Sequence, residues 1–457
     1  MGYPADLSHH ADQKSDRGAE ATTRVASKAP VRVCMHGLWS GRVNVRLMRE
    51  AEALVAAGYQ VTVVDIERDT SRPREETIEN IHFKHVFMPS RFVKSRVKLW
   101  FLMKIASAVA RGMLAVVRTP ADIYHAGDDM ALPASYIAAV LRHKKLIFDA
   151  YEVPLVQKTL TQRPLLSKLA RWTLRRMMPR CDGIITVSAP IVDEIQRRYG
   201  GPRAVLVRNI LPYTAPVTSN RLRERLGIGP DIRIAIYQGG FEASRRLDLL
   251  VHAARYLSPQ AHIVLLGWGE CQQELEALIE QEGVGDRVTI LPPVPYDALL
   301  SWTASADLGL IIYDGNYSPN VQFMLPNKLF EYLMAGVPVL ASPLEATEEL
   351  IQRYGVGVIT PSIEPADIGQ TISTVLSDEA ALKRMRQNAL SASAQELRWE
   401  VEQERLLLLY QNLLESSKLK SKRSPSFSPS GDPAPTAASS SASGARGSSH
   451  FPVKDTI

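Results

Sequence analysis

The chain has 457 residues, 45% of them hydrophobic and 22% charged, enough for two ordinary globular domains plus tails. Cys34, Cys181 and Cys271 are widely separated and form no Cys-x-x-Cys or Cys/His cluster, which argues against a disulfide framework and a zinc site and fits a reducing cytoplasm. The net charge of +6 conceals an asymmetry: residues 31–209 hold 29 Lys and Arg against 16 Asp and Glu, and residues 210–417 hold 15 against 26. A first half this basic points to an anionic surface or substrate.

Residues 1–30 are polar and lack the apolar core of a signal peptide; they are expected to be a disordered tail. Val31–Met35 reads as a buried strand, Val45–Ala57 as an amphipathic helix stopped by Gly58, and Gln60–Val64 as a second strand. The apolar run from Leu99 to Val117 is interrupted by Lys104 and Arg111 and makes a poor membrane span. Asp122–His125, Leu146–Asp149 and Gly183–Val187 continue the strands of a first parallel sheet. A linker composition follows from Asn209 to Asn220. A second cycle then runs through Arg233–Tyr237, a helix over Leu247–Tyr256, and strands at His262–Leu266, Arg287–Leu291, Leu308–Ile312 and Pro338–Ala341. From about Lys418 the chain is rich in Ser, Pro, Ala and Gly, and a second disordered tail over 418–457 is expected. The pattern predicts an α/β chain of two doubly wound domains, 31–209 and 210–395, with a ligand cleft at the carboxyl ends of their strands.

The dinucleotide fingerprint is missing, because Gln272 stands where Gly267-Trp268-Gly269 would need its third glycine. A tight turn is the plainer reading of that pair, and a nicotinamide dehydrogenase is disfavoured. The segment from Leu325 to Val339 reads as a short helix, with Pro326 near its start and Gly336 past its end, followed by a strand. Lys328 and Glu331 share a face near the positive end of that helix. Helix N–H groups, Asn327 and the lysine would suit a diphosphate, and the carboxylate would suit both ribose hydroxyls; a surface ion pair is the alternative. Upstream, Gly239 and Gly240 follow a strand and let backbone approach a ligand closely, and Arg245 stands at the start of the next helix, where its fork can meet phosphate oxygens. The two elements together favour nucleotide binding.

These stretches, with Ala306-Asp-Leu-Gly-Leu, resemble the donor-site signature of glycosyltransferase family 4. Arg245 matches the family's basic phosphate position and Glu331 its ribose-binding glutamate. Val45–Ala51, Ala57–Val63, Asp122–Asp128 and Ile184–Ser188 are similar to stretches of its acceptor domain. Trp399-Glu400 with Leu406–Leu414 resembles its closing helix, here expected over 396–417. The resemblance implies a GT-B fold with an interdomain cleft and a nucleotide-diphosphate sugar, UDP-linked by family frequency, held by the second domain. It further implies a saccharide or lipid-linked acceptor on the first domain, retention of anomeric configuration, and no metal or cofactor. Arg245, Lys328 and Asp128 are then the catalytic candidates. Gly239, Gly240, Asn320, Asn327 and Glu331 join the two cations on the donor side, and Arg46, His125, Asp149, Tyr151 and Glu152 form the acceptor side. Three positions depart from the family pattern. Gly127 and Tyr151 stand where histidines are frequent, and Phe323 stands where a second glutamate is frequent, eight residues before Glu331. Asn320 or Gln322 would then read the sugar. These changes fit either an unusual acceptor or a non-catalytic GT-B protein that binds a nucleotide sugar or serves as an assembly partner. A nucleotide-sugar epimerase on the same architecture is disfavoured by the Lys-Leu-Phe-Glu-Tyr segment.

From His82 to Thr119 there are eight Lys and Arg and no acid, interleaved with Phe92, Trp100, Phe101, Leu102 and Met103; Gln162 to Arg180 repeats the theme from Arg163 onward. Such stretches suit an anionic membrane surface on its cytoplasmic side and, by extension, a lipid-linked acceptor of surface-polysaccharide synthesis. A solvated face over a packed sheet is the other reading; no nucleic-acid motif is present.

Overall fold

Short apolar runs alternate with helices along the chain and assemble into two parallel sheets. The computed structural model describes residues 29–37, 41, 44–87, 98–154 and 164–422. Expectations placed on residues 1–28 and 423–457, and on Arg91, Phe92, Lys94, Arg96 and Arg163, lie outside the described residues. Those placed on the side chains of Lys98 to Lys104 do so as well.

The first half runs β1 (Arg32–His36), α1 (Val45–Ala56), β2 (Gln60–Glu67), β3 (Glu75–Ile78), β4 (Ile81–Phe87), α2 (Lys98–Arg118), β5 (Ile123–Ala126), α3 (Leu132–Arg142), β6 (Lys145–Ala150), α4 (Pro164–Met177), β7 (Gly183–Thr186), α5 (Ala189–Tyr199) and β8 (Val205–Leu206). Its strand order is β3-β4-β2-β1-β5-β6-β7-β8, with β3 antiparallel to β4. Asn44 caps α1 by accepting the Leu47 N–H at 3.1 Å, which fixes where the helix begins. The structure corrects one sequence expectation here. His82–Phe87 is a strand rather than part of an amphipathic basic stretch, because Ile81, Phe83 and His85 alternate into the interior with a period of two.

The second half runs α6 (Arg221–Leu226), β9 (Arg233–Gly240), α7 (Leu247–Ala253), β10 (Ala261–Trp268), α8 (Gln272–Glu282), β11 (Val288–Leu291), α9 (Tyr296–Thr303), β12 (Leu308–Ile311), α10 (Pro319–Phe323), α11 (Asn327–Met334), β13 (Val339–Ala341), α12 (Glu345–Tyr354), β14 (Gly357–Ile359), α13 (Pro365–Ser377), α14 (Glu379–Gln395) and α15 (Trp399–Lys422). Its strand order, β11-β10-β9-β12-β13-β14, reverses between β9 and β12. The first sheet reverses in the same way between β1 and β5. In such sheets ligands bind beyond the strand ends at the reversal. Arg245 sits in a 3-10 turn, Ala243–Arg245, and not at the start of α7. Gly267 and Gly269 serve packing, since a Cβ on Gly267 would lie 1.9 Å from the Gly239 carbonyl oxygen.

Residues up to Leu413 form one compact unit. Within it α15 returns to the first sheet, where Leu409 packs on Gly183 and the Tyr410 hydroxyl meets His125 Nδ1 at 2.7 Å. The helix runs to Lys422, past the expected start of the tail at 418. Lys and Leu sustain a helix there. The return is pinned by Arg208, whose Nε donates to Glu402 Oε1 at 2.8 Å while its backbone N–H donates to Oε2 at 2.9 Å. Both side chains are buried. Glu402→Ala would strand the guanidinium, and we expect a loss of about 3–5 kcal/mol, read as a lower urea midpoint at unchanged slope.

Candidate active site

A cleft of about 750 Å³ opens between the carboxyl ends of the two sheets. Asn44, Arg46, Tyr151 and Glu152 line it from the first half; Gly239, Gly240, Arg245, Asn320, Asn327, Lys328 and Glu331 line it from the second. A cavity of similar size, about 770 Å³, lies around Asn220, Arg223 and Asp307. Its arginines are already paired, Arg223 and Arg233 with Asp307 at 2.6 and 3.4 Å and Arg386 with the Gly336 carbonyl at 2.9 Å, so the cleft at the strand ends is the chemically equipped one.

The second-half wall of the cleft is built on α11. Lys328 is buried, and burial, followed by the nearby charge of Arg245, holds its ammonium well below the usual lysine range. Instead of a surface ion pair with Glu331, the ammonium lies 3.5 Å from the centre of the Tyr237 ring and 5.6 Å from that of Tyr313. The Arg245 guanidinium lies 5.4 Å from the centre of the same Tyr313 ring. Glu331 is held by Gln238 Nε2 at 2.6 Å, and Gln238 in turn accepts from Thr303 Oγ1 at 2.8 Å. Burial raises the Glu331 carboxyl above the ordinary carboxylate range. Gly239, at φ 131°, brings backbone past the lysine; a Cβ there would lie 3.3 Å from Lys328 Nζ. Asn327 accepts from Asn209 Nδ2 at 3.0 Å, across from the linker. Sequence reasoning missed Tyr237, Tyr313 and Gln238. Tyr237 and Gln238 lie near the end of β9 and Tyr313 two residues past β12, at the sheet reversal, and that position is the signal that could have found them.

The acceptor-side candidates separate into two groups. Arg46, His125 and Asp149 form a buried network. Arg46 donates through Nε and Nη2 to the two Asp149 oxygens at 2.6 and 2.8 Å, and through Nη1 to the Val207 carbonyl at 2.8 Å. His125 is fully buried beneath the cleft rather than lining it. Its Nε2 lies 3.6 Å from Glu50 Oε2. Tyr151 and Glu152 are exposed to the cleft, and burial together with nearby carboxylates pushes the Tyr151 phenol up, so it stays protonated at neutral pH. Asp128 accepts the Ala131 N–H at 2.7 Å and lines a small side pocket with Tyr151 and Glu152, outside the main cleft.

Two groups of buried histidine and carboxylates among the described residues converge closely enough to ligate an ion: Glu50–His125–Asp149 and Asp65–Glu67–His85. Arg46 already supplies positive charge to the first, with Nη2 3.2 Å from Glu50. In the second, His85 Nδ1 meets Asp65 at 2.6 Å and Arg72 lies 3.6 Å from Glu67. None of these six residues lines the cleft at the strand ends.

The two facing α/β halves, with their cleft at the strand ends, constitute a GT-B fold. The solved structure of Anabaena HepE in complex with UDP-glucose has this fold, with a TM-score of 0.62 at 16% identity over 85% of this chain and 99% of that one. Residues 43–210 match the model of Glycosyltransferase Family 4, and residues 218–392 match that of Glycosyl transferases group 1. The chain therefore belongs to the family 4 type of glycosyltransferases. It is similar to the D-inositol 3-phosphate glycosyltransferase of Xylanimonas cellulosilytica, 28% identical over 228 residues. That match takes in 46% of this chain and 52% of the relative, so the chain spans about half that relative's length. The D-inositol 3-phosphate glycosyltransferase 1 of Catenulispora acidiphila is 23% identical over 408 residues, 83% of this chain and 92% of that protein.

The buried network sets a pH dependence. Burial and the Asp149 charge raise the Glu50 carboxyl from an ordinary 4.5 to about 8, and burial lowers His125 from 6.5 to about 4. Between pH 4.5 and 6.5 the folded state keeps a proton on Glu50 and lacks one on His125, and the two effects cancel. Above 6.5 only Glu50 contributes. The folded state then holds a proton that the unfolded chain has lost, so stability falls as pH rises toward 8, by roughly 2 kcal/mol. Urea unfolding at pH 6.5, 8 and 9 is expected to show this loss in the native chain and not in Glu50→Gln.

Proposed function

We propose that the protein transfers a glycosyl group, with retention, from a nucleotide-diphosphate sugar to a saccharide or lipid-linked acceptor. The observation that carries this reading is the buried Lys328 ammonium, which makes no ion pair among the described residues and sits at the start of α11 beside Arg245 and Glu331. A diphosphate placed against Lys328 and Arg245 supplies the missing countercharge, and a ribose one turn along meets Glu331. UDP is the nucleotide we favour, in line with the UDP-glucose bound by HepE.

In the reaction proposed, the bond from the anomeric carbon to the diphosphate oxygen breaks. The acceptor hydroxyl oxygen bonds to that carbon on the same face, and its proton passes to the departing diphosphate. Arg245 and Lys328 stabilise the charge growing on the leaving group, so no divalent ion is required. The acceptor enters on the side lined by Tyr151 and floored by Arg46. The comparisons lend no support to the non-catalytic alternative.

Glu331→Ala is expected to weaken UDP binding at least about tenfold, the loss of one charged hydrogen-bonding partner, with an unchanged melting temperature. Unchanged affinity in calorimetry would show that the ribose is not held there. Sugar-dependent release of UDP in the presence of membrane extract should persist in EDTA.

We further place the protein peripherally on the cytoplasmic face of a membrane. In α4, Leu169 and Trp172 are exposed among Lys168, Arg171, Arg175 and Arg176, and Arg176 lies 5.9 Å over the Trp172 ring. No helix among the described residues is long and apolar enough to cross a membrane. Flotation should recover the protein with vesicles containing anionic lipid and not with zwitterionic ones, and Trp172→Ala should reduce that recovery. Equal recovery with both vesicle types would refute this placement.

A further inference from the structure

The position eight residues before Glu331 cannot read a sugar hydroxyl here. Phe323 packs its ring against the apolar cluster of the first half that contains Val187 and Ile191, and its carbonyl accepts from Ser188 Oγ at 2.7 Å. Gln322 is no substitute. Its Oε1 lies where a Cβ on Gly315 would stand 2.2 Å away, and it does not line the cleft. Asn320, from the same short helix, does line the cleft, together with Lys328 and Glu331. Its amide is held at both ends by the segment that follows β6: Oδ1 accepts the Val153 N–H at 2.8 Å, and Nδ2 donates to Glu152 Oε2 at 3.0 Å.

We infer that Asn320 and Glu152 act as one sugar-reading pair, assembled across the cleft from both halves, that recognises hydroxyls on the glycosyl part of the donor. The inference rests on the donor-cleft reading above. A sugar hydroxyl both donates and accepts. Beyond its two bonds, the Asn320 amide has one further N–H to give and one further lone pair on its oxygen, and a carboxylate beside it accepts. The orientation of the amide is set by partners that belong wholly to the first half. Moving the halves apart removes those partners, so the sugar is read only in the closed cleft. Nucleotide recognition, by contrast, needs the second half alone, because Gln238, Glu331, Lys328 and Arg245 all belong to it.

The two parts of the donor can therefore be separated by calorimetry with UDP and with UDP-glucose. Asn320→Ala and Glu152→Gln are each expected to leave UDP affinity within about twofold while weakening UDP-glucose, and lowering its kcat/KM, by about tenfold or more. Loss of UDP and UDP-glucose affinity in equal measure would mean that the contact only holds the halves together, and would overturn the pair. No change in either affinity would overturn it as well. If Asn320→Ala melts early, Glu152→Gln decides, since a glutamine oxygen can still accept from the Asn320 amide. Failure of the native chain to bind UDP at all would instead remove the donor-cleft reading, and the pair with it.

Discussion

An ammonium group taken out of water is costly to hold without a close anion, and the second half of the molecule is arranged around one that makes no ion pair among the described residues. Lys328 is buried, with its charge resting on two tyrosine faces, and those rings mark the ends of β9 and β12 on either side of the sheet reversal. For the lysine to reach that place the chain beneath it must come close. Gly239 takes a φ of 131°, and Gly267 leaves room for the Gly239 carbonyl where a side chain could not fit. Local backbone, packing and electrostatics thus converge on one buried cation at the cleft. A leaving group that gains negative charge as its bond breaks is stabilised most by a cation already stripped of water and fixed in position.

The first half is built on the opposite principle. Arg46 is equally buried but meets Asp149 in a two-pronged pair, a backbone carbonyl and Glu50, so its charge is satisfied before any ligand enters. The paired Arg46 and Asp149 are a floor for the cleft rather than a reactant. It also couples the floor to α15, because His125 stands between Glu50 and Tyr410. With Glu402 holding Arg208 at the end of the first half, one helix fixes both the floor and the start of the linker.

Much of this was legible in the sequence, and the boundary of legibility is physical. Buried parallel strands are continuous apolar runs, so β1, β6, β9 and β10 stand out within a few residues of their observed ends. The α11 helix announces itself because proline and glycine punctuate it and a lysine and glutamate three apart share its face. Where charge counting was used in place of periodicity the reading failed. Lys84 and His85 look like part of a basic stretch until the alternation of Ile81, Phe83 and His85 is seen as a strand. His125 was read as a cleft residue, but no local pattern in a strand end tells which helix from 285 residues away will cover it. Tyr237 and Tyr313 belong to no motif; only their place at the strand ends, known once the order of strands is known, gives them a role.

The three departures from the family pattern can be weighed by what occupies the space they leave. A decayed site would leave slack where a functional side chain had been. At Gly127 there is none, because a Cβ would lie 3.2 Å from the His36 carbonyl oxygen and 3.3 Å from Leu47, so the neighbours have closed over the position. At Phe323 the ring joins the apolar cluster of the opposite half, and its carbonyl takes the Ser188 hydroxyl, which ties the halves together at that point. At Tyr151 a phenol kept protonated lines the cleft, a donor of hydrogen bonds rather than a carrier of protons near neutral pH. At Gly127 and Phe323 a larger or charged side chain would strain or lose those contacts. The packing at Gly127 and Phe323 is thus complete, and Lys328 and Arg245 still meet at the cleft.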